Sequence, residues 1–364
     1  MKSRNLLQVC FLFVFISTLH AQTWTALTSG TTANLYGVYF TDANTGYAVG
    51  GGIYKTTNGG TSWASLNVTA FTGATFQAVQ FSSATVGYVV GRNNSGGLII
   101  KTTDAGVTWT AHTAGTLQSL RAVYYLNPNH QYASGTGGAI VESNGGSTWT
   151  AQTTGVSLVL SGIYFSDFNH GCAVGSLNTL IKTSNAGTTW TAATTPSGPA
   201  RSWNAVAFGS GSTGYAVGSA GAIIKTIDSG STWTAQAPPT TTELFSVSFV
   251  DVNNGYAVGT PVTSSVNVLL KTTNGGATWV NQTAPTTLVT LNGVYAVNAN
   301  LAYVVGDGGK IFKTGTGTPI LVKNRFSGKR ATAEKLFDLR GRNLSLQNLW
   351  HGKKTILEWS RPLR

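Results

Sequence analysis

The sequence predicts an all-β fold, a single seven-bladed β-propeller, on three observations. Charged residues make up 9% of the 364-residue chain, against about 25% in an ordinary soluble domain, so the charged helix formers are scarce. Glycine occupies 45 positions and aromatic residues make up 10% of the chain, which fits tight turns between strands and does not fit disorder. Two short phrases also recur about every 40 residues, a period typical of propeller blades.

The two phrases alternate along the chain. The first is of the type Gly-Tyr-Ala-Val-Gly and occurs seven times, at 46–50, 87–91, 131–135, 171–175, 214–218, 255–259 and 302–306. The second reads Thr-Thr-Asn-Gly-Gly-Thr-Ser-Trp in its first copy, at 56–63, and follows each of the first six. Seven tryptophans mark the period at intervals of 39 to 46 residues: Trp24, Trp63, Trp109, Trp149, Trp190, Trp233 and Trp279.

Each repeat is predicted to form four short strands. In the first repeat these are about 35–40, 46–49, 53–56 and 62–66. The first strand of every repeat has a small residue at one column: Gly37, Ala78, Ala122, Gly162, Ala205, Ser246 and Gly293. Small side chains let neighbouring backbones approach closely near the axis of a propeller. The first strand is therefore predicted to be the innermost strand of its blade.

The N-terminal strand is predicted to close the ring. The seventh repeat, about 291–314, has no second phrase and no tryptophan of its own, whereas Trp24 lies in a strand-like segment with no strands before it. Pairing of this segment with the last repeat completes the seventh blade and removes a free sheet edge.

Residues 1–21 are predicted to be a signal peptide. Lys2 and Arg4 precede an eleven-residue apolar run at 6–16, which is shorter than the roughly 20 residues of a membrane span. We expect processing before Gln22, no transmembrane segment afterwards, and export to the extracellular space or the cell surface, or otherwise to the periplasm.

The rest of the chain divides into a propeller at 22–319 and a basic tail at 320–364. The tail has eleven Lys and Arg residues against three Asp and Glu, whereas 23–319 has ten against eight. Because the excess positive charge lies at the chain ends, no nucleic-acid partner is expected for the propeller. Cys172 is the one cysteine left after signal removal, so no internal disulfide is expected.

The second phrase has the residue pattern of an Asp-box, or BNR repeat. With its six linked pairs of phrases and a seventh copy of the first phrase, the segment 23–314 resembles the photosystem II stability/assembly factor family. The resemblance implies a propeller that holds a protein partner. Within the tail, 335–342 is similar to the strand and turn of a type IX secretion sorting domain; the alternative is a basic, partly ordered extension.

The box residues are interpreted as structural. The polar box positions are Asn58, Asp104, Asn144, Asn185, Asp228 and Asn274. A short polar side chain there can accept backbone N–H bonds inside the hairpin, and the tryptophans fill the core. Asparagine at four of the six positions suits a turn cap better than a calcium ligand, and no Cys/His ligand set is present. We expect no metal and no cofactor.

One column of the first strand differs in every repeat and is the candidate partner-binding face. It precedes the small column and consists of Tyr36, Gln77, Arg121, Ser161, Asn204, Phe245 and Asn292. Packing explains a uniform column, whereas a mixed polar and aromatic one indicates binding around the central channel. Arg201, three residues before Asn204, belongs to the same prediction.

A lysine column precedes the boxes: Lys55, Lys101, Lys182, Lys225, Lys271 and Lys313. These residues are interpreted as solubilising groups that blunt strand pairing. The alternative is a ring of charge that steers an acidic partner.

These observations favour a non-enzymatic, monomeric propeller that binds protein or assists assembly. Glycoside hydrolysis normally needs two positioned carboxylates, and the candidates Glu142, Glu243 and Asp307 fall on different repeats. The alternative is a secreted carbohydrate-binding protein or an Asp-box glycoside hydrolase, so the partner is a protein or, in that case, a glycan.

Overall fold

The computed structural model describes residues 22–263, 266–283 and 288–315, and the short strands Leu336–Phe337 and Asn343–Leu344. The chain divides into two compact units, Met1–Thr318 and Pro319–Arg364. The predicted signal peptide lies outside the described residues, as does the predicted sorting segment apart from the two short strands. These strands pair antiparallel, with Leu336 opposite Leu344.

Seven four-stranded antiparallel sheets form the first unit, which confirms the predicted seven-bladed β-propeller. Blade 1 comprises Leu35–Phe40, Gly46–Gly50, Ile53–Thr56 and Ala64–Ser65. Blade 2 comprises Thr75–Phe81, Gly87–Asn93, Gly96–Thr102 and Thr110–His112. Blade 3 comprises Leu120–Asn127, His130–Gly135, Ile140–Ser143 and Thr150–Ala151. Blade 4 comprises Leu160–Phe165, Gly171–Gly175, Leu180–Thr183 and Thr191–Ala192. Blade 5 comprises Trp203–Phe208, Gly214–Gly218, Ile223–Thr226 and Thr234–Ala235. Blade 6 comprises Leu244–Phe249, Gly255–Thr263, Val266–Thr272 and Val280–Asn281. Single 3₁₀ turns occur at Thr69–Phe71, Thr136–Gly138, Ser219–Gly221 and Asp307–Gly309.

Blade 7 is assembled from both ends of the propeller. Its first three strands are Leu291–Asn298, Leu301–Gly306 and Ile311–Gly315, and its outermost strand is the N-terminal Thr23–Leu27. Trp24 pairs with Thr314 in an antiparallel register. The absence of a seventh box in the sequence predicted this closure.

The strand order gives the propeller two faces. Because successive strands are antiparallel, the connections between blades lie on the same face as the turns between second and third strands; this is the entrance face. The box hairpins and the turns between first and second strands lie on the opposite, box face.

Hydrophobic side chains pack between neighbouring blades in seven clusters. In one of them, Tyr132 of blade 3 stacks on Phe165 of blade 4 with ring centroids 4.0 Å apart. Trp190 meets Phe165 edge-on at 6.0 Å. Nearer the axis, a Cβ on Gly37 would lie 3.0 Å from the carbonyl oxygen of Gln77, so the small column permits the close approach of innermost strands.

Five of the six box hairpins share one hydrogen-bond pattern. In blade 1, Asn58 Oδ1 accepts the N–H of Ser62 at 3.0 Å, and Gly60, at φ +86°, donates its N–H to Thr56 Oγ1 at 2.9 Å. The equivalent acceptors are Asp104, Asn185, Asp228 and Asn274. Blade 3 departs from this pattern because Ser143 Oγ donates to the carbonyl of Gly146 instead.

A tyrosine and a lysine tie each of several blades to the next. Tyr47 Oη and Lys55 Nζ both donate to the carbonyl oxygen of Ala105 in the box hairpin of blade 2, at 2.9 and 2.8 Å. The other lysines that donate to a backbone carbonyl of the next blade are Lys225, Lys271 and Lys313. The interpretation of the lysine column as solubilising edge groups is wrong for these four, because they lie on internal strands and bond across the blade interface.

Gln22 supplies an acceptor where blade 7 has no box. Its Oε1 accepts from Tyr256 Oη at 2.7 Å and from Lys271 Nζ at 2.9 Å, the same pair of groups that elsewhere meets a box carbonyl. Its Nε2 donates to the carbonyl of Asn300 at 3.0 Å. The N-terminal segment therefore replaces both the outermost strand and the box acceptor of the seventh blade.

Candidate functional site

A β-bulge recurs at the start of every innermost strand. In blade 1 Leu35 pairs with Gly50 and Gly37 with Val49, which leaves Tyr36 without a partner in the register. The bulged residues of the other blades are Gln77, Arg121, Ser161, Asn204, Phe245 and Asn292. Bulges re-aim side chains, and here they act on all seven members of the variable column.

The seven bulged residues line one cavity of about 580 Å³ around the propeller axis, together with Val159, Ser176, Ser202 and Glu243. Ser176 follows a second strand and Ser202 and Glu243 precede innermost strands, so the cavity opens on the entrance face. Ligand sites commonly occupy about 300–1,000 Å³. A second cavity, of about 680 Å³, lies along 26–32 and 308–312 and contains none of the candidate residues.

Two members of the column also bridge blades. Asn204 Nδ2 donates to the carbonyl of Leu244 at 2.8 Å, and Asn292 Nδ2 donates to the carbonyl of Leu35 at 3.0 Å. Both amides therefore hold the innermost strand of the next blade. These hydrogen bonds between blades partly explain why asparagine occupies the two positions.

Blades 1 to 3 present polar groups that the rest of the described protein leaves available. Tyr36 and Gln77 are half-buried and Arg121 is exposed. Within the described residues, no hydrogen bond or ion pair engages the side chains of these three. A hydroxyl, an amide and a guanidinium therefore form an arc of donors on adjacent strands, with Phe245 of blade 6 supplying an aromatic wall.

Glu243 is a cavity residue that the variable column did not include, because it lies two residues before the bulge of blade 6. Its Oε1 accepts from Asn204 Nδ2 at 3.0 Å, so the carboxylate is held in place by an amide that is itself anchored to Leu244. In the sequence, Glu243 stands out because carboxylates are rare outside the turns and boxes of this chain.

Arg201 is placed differently from the other candidates. It is half-buried and is not among the residues that line the cavity. Its backbone N–H donates to Asn178 Oδ1 at 2.8 Å and its Nη1 donates to the carbonyl of Ser219 at 3.3 Å. These bonds fix the connection that leads into blade 5.

Three apolar side chains are exposed on the entrance face, and two of them are next in sequence to residues that line the cavity. Leu117 is 80% exposed in the connection between blades 2 and 3, and Leu177 is 64% exposed in a turn of blade 4. Leu158, in the connection between blades 3 and 4, is also exposed. Exposed apolar groups beside a polar cavity are typical of a protein-binding surface.

The other carboxylate candidates, Glu142 and Asp307, are not among the residues that line the cavity. Glu142 is at the interface of blades 3 and 4, where it accepts from His130 Nδ1 at 2.7 Å, from Tyr132 Oη at 3.0 Å and from Gln152 Nε2. Asp307 Oδ1 accepts from Asn292 Nδ2 at 2.9 Å. Both carboxylates are thus engaged by neighbouring side chains.

Within 22–263, 266–283 and 288–315, no group of three or more His, Cys, Asp or Glu residues is arranged to hold a metal ion. Cys172 is free and buried, and burial raises the pKa of its thiol to about 12. Among the residues that can be described, no helix is long and apolar enough to cross a membrane.

The fold and the cavity define an Asp-box β-propeller with a polar site at its central channel. Residues 16–155, 146–233 and 197–320 match the profile of the photosynthesis system II assembly factor YCF48 family. The chain therefore belongs to this family. No curated protein sequence compared with the chain matches it.

YCF48 proteins and GH74 enzymes are among the solved structures that are similar to the propeller. YCF48 bound to a D1 peptide shares 19% identity at a TM-score of 0.64 over 83% of this chain and 100% of the other. YCF48 from Cyanidioschyzon merolae shares 18% at 0.62, over 80% and 98%. The GH74 enzyme of Niastella koreensis also shares 18% at 0.64, over 80% of this chain and 53% of the enzyme. At these identities the likeness establishes the fold, and this chain spans about half of that enzyme.

Proposed function

We propose that the protein is a non-enzymatic scaffold that binds a protein partner through the central cavity of its entrance face. The observation that carries the proposal is the sevenfold bulge, which turns the one variable column of the repeat toward a single cavity. The apolar groups around its mouth support a protein partner, as does the YCF48 structure with its D1 peptide.

We also propose that the protein is exported. The proposal rests on the charged start and the apolar run at 6–16. Fusion of 1–30 to a reporter tests it, and a reporter retained in the cytoplasm would contradict it.

A carbohydrate-directed role is the second candidate. Tyr36 and Phe245 line the cavity beside amide and hydroxyl groups, a lining that also suits a sugar, and the GH74 enzyme shares the fold. Hydrolysis normally needs two carboxylates, and Glu243 is the one carboxylate among the described residues that line the cavity. This is why we place the carbohydrate role second.

Capture of partners by the full chain tests the two candidates together. The channel variant combines Tyr36→Ala, Arg121→Ala and Phe245→Ala. Its matched control combines Val107→Ala, Phe168→Ala and Ile227→Ala, three exposed residues of the box face. Each protein is tested for capture of partners from envelope and medium fractions and for binding to a glycan array.

We expect the parent and the control to capture one defined protein. The channel variant should capture at least tenfold less of it while its melting temperature stays unchanged, because central interface anchors contribute about 2 kcal/mol or more to binding. Loss of capture in the control alone would place the binding face on the box side. Glycan binding or hydrolysis that depends on the channel residues would support the carbohydrate role instead.

A further inference from the structure

The cavity contains two opposite charges that do not neutralise each other. Arg121 of blade 3 and Glu243 of blade 6 both line it. In the ring of seven innermost strands, these blades are separated by blades 4 and 5 on one side and by blades 7, 1 and 2 on the other, so the two side chains project from nearly opposite walls. Among the described residues, the short contacts between basic and acidic side chains join His130 to Glu142 and His170 to Asp167, and neither involves the cavity.

Each charge is presented in a form suited to a ligand. Glu243 is oriented through Oε1 by Asn204 at 3.0 Å, and within the described part of the chain no donor engages its Oε2. Arg121 is exposed, and its five N–H donors meet no acceptor among those same residues. A positioned carboxylate and an available guanidinium make strong charge-assisted hydrogen bonds.

The size of the cavity restricts what can reach both charges. About 580 Å³ is the scale of a small-ligand site, whereas a folded partner surface covers about 800 Å² on each side of an interface. A protruding segment can enter the cavity while the rest of the partner rests on the apolar groups of the entrance face. A neutral sugar would leave both charges without counter-charges.

We propose that the cavity binds a short peptide segment that carries one acidic and one basic side chain, the acid bonded to Arg121 and the base to Glu243. This inference rests on the proposed protein-binding function and adds the charge of the recognised segment. Gln77, next to Arg121 in the ring, and Tyr36, one blade further on, provide further donors to the acidic side.

Blocked synthetic peptides test the proposal, because their termini carry no charge. Each probe contains Glu and Lys separated by one to four glycines, and matched probes replace Glu, Lys or both with Gln. Dissociation constants are measured by fluorescence anisotropy for the full chain and for Arg121→Gln and Glu243→Gln. Lys310→Gln is the control for Arg121→Gln, since this exposed lysine lies on the entrance face outside the central cavity and its loss lowers the net charge by the same amount.

At one spacing, we expect the Glu/Lys probe to bind about tenfold more tightly than either singly charged probe, as a charge-assisted hydrogen bond contributes about that factor. Arg121→Gln should abolish the advantage of Glu and leave that of Lys, Glu243→Gln should do the reverse, and Lys310→Gln should change neither.

Two results would overturn the inference while the proposed function stands: equal binding of all four probes, or no probe binding by a chain that still captures its partner through the channel residues. If the channel variant of the capture experiment also retains its partner, the proposed function fails as well.

Discussion

At the scale of single residues, hydrogen bonds across blade interfaces explain four of the six lysines of the column. Lys55 Nζ lies 2.8 Å from the carbonyl of Ala105 and 5.4 Å from the ring centroid of Tyr47. The ammonium thus bonds the next blade and also lies over an aromatic ring of its own blade. Blade 4 has Cys172 in place of the tyrosine, and within the described residues its Lys182 makes no such bond.

We predict that Lys55→Met lowers the free energy of unfolding by about 1 kcal/mol, the scale of one partly exposed hydrogen bond to a charged group. Lys182→Met is the control and should change it by less than half of that. Urea unfolding followed by tryptophan fluorescence measures both free energies. Equal losses of unfolding free energy in the two variants would show that the hydrogen bond to Ala105 does not contribute to stability.

At the scale of elements, the N-terminal strand carries an unusual share of the ring closure. It contributes the buried Trp24, whose ring lies 5.9 Å from that of Tyr256 in the neighbouring blade. Gln22, the residue directly before this strand, accepts hydrogen bonds from Tyr256 and Lys271 through its side chain. Removal of the strand would expose the edge of Ile311–Gly315.

We predict that deletion of 22–27 lowers the melting temperature strongly and promotes association, because loss of a buried tryptophan alone costs about 3–5 kcal/mol and a bared edge pairs with other chains. Gln22→Leu, which removes the acceptor and keeps the strand, should cost about 1–3 kcal/mol. Calorimetry and light scattering measure the effects. A deletion variant that melts like the parent would contradict the closure.

The box hairpins predict a dependence of stability on acid. Hydrogen bonds from the side chain and backbone of Thr108, and from Thr102, lower the pKa of Asp104 from 3.8 to about 2. A carboxyl group with a lowered pKa in the folded state stabilises the protein above its unfolded pKa, and this contribution is lost as the pH falls through the folded value.

Asp104→Asn should therefore flatten the loss of stability between about pH 4 and pH 2 and change stability little at pH 7, since Asn58 makes the equivalent bonds in blade 1. Melting temperatures measured across this range test the prediction. If the substitution leaves the pH dependence of the melting temperature unchanged, the pKa of Asp104 is the same in the folded and unfolded states, which would contradict the prediction.

At the scale of the whole molecule, the repeat made the fold and the variable column predictable. Periodicity identifies residues that are equivalent in every blade, so Tyr36 and Arg121 could be assigned to one face from sequence alone. The contacts of Gln22 with Lys271 could not, because they join positions 249 residues apart and depend on the closed ring. The bulge was also hidden, since it arises from pairing with the second strand and not from any residue type.

The proposed function requires that the partner enters the cavity, and site-specific photo-crosslinking measures this directly. A photoreactive amino acid is placed at Gln77, inside the cavity, or at Ile227, exposed on the box face, and each chain is irradiated with its captured partner. We predict crosslinks from position 77 to a single short segment of the partner and none from position 227. Crosslinks from position 227 with none from position 77 would contradict the central claim.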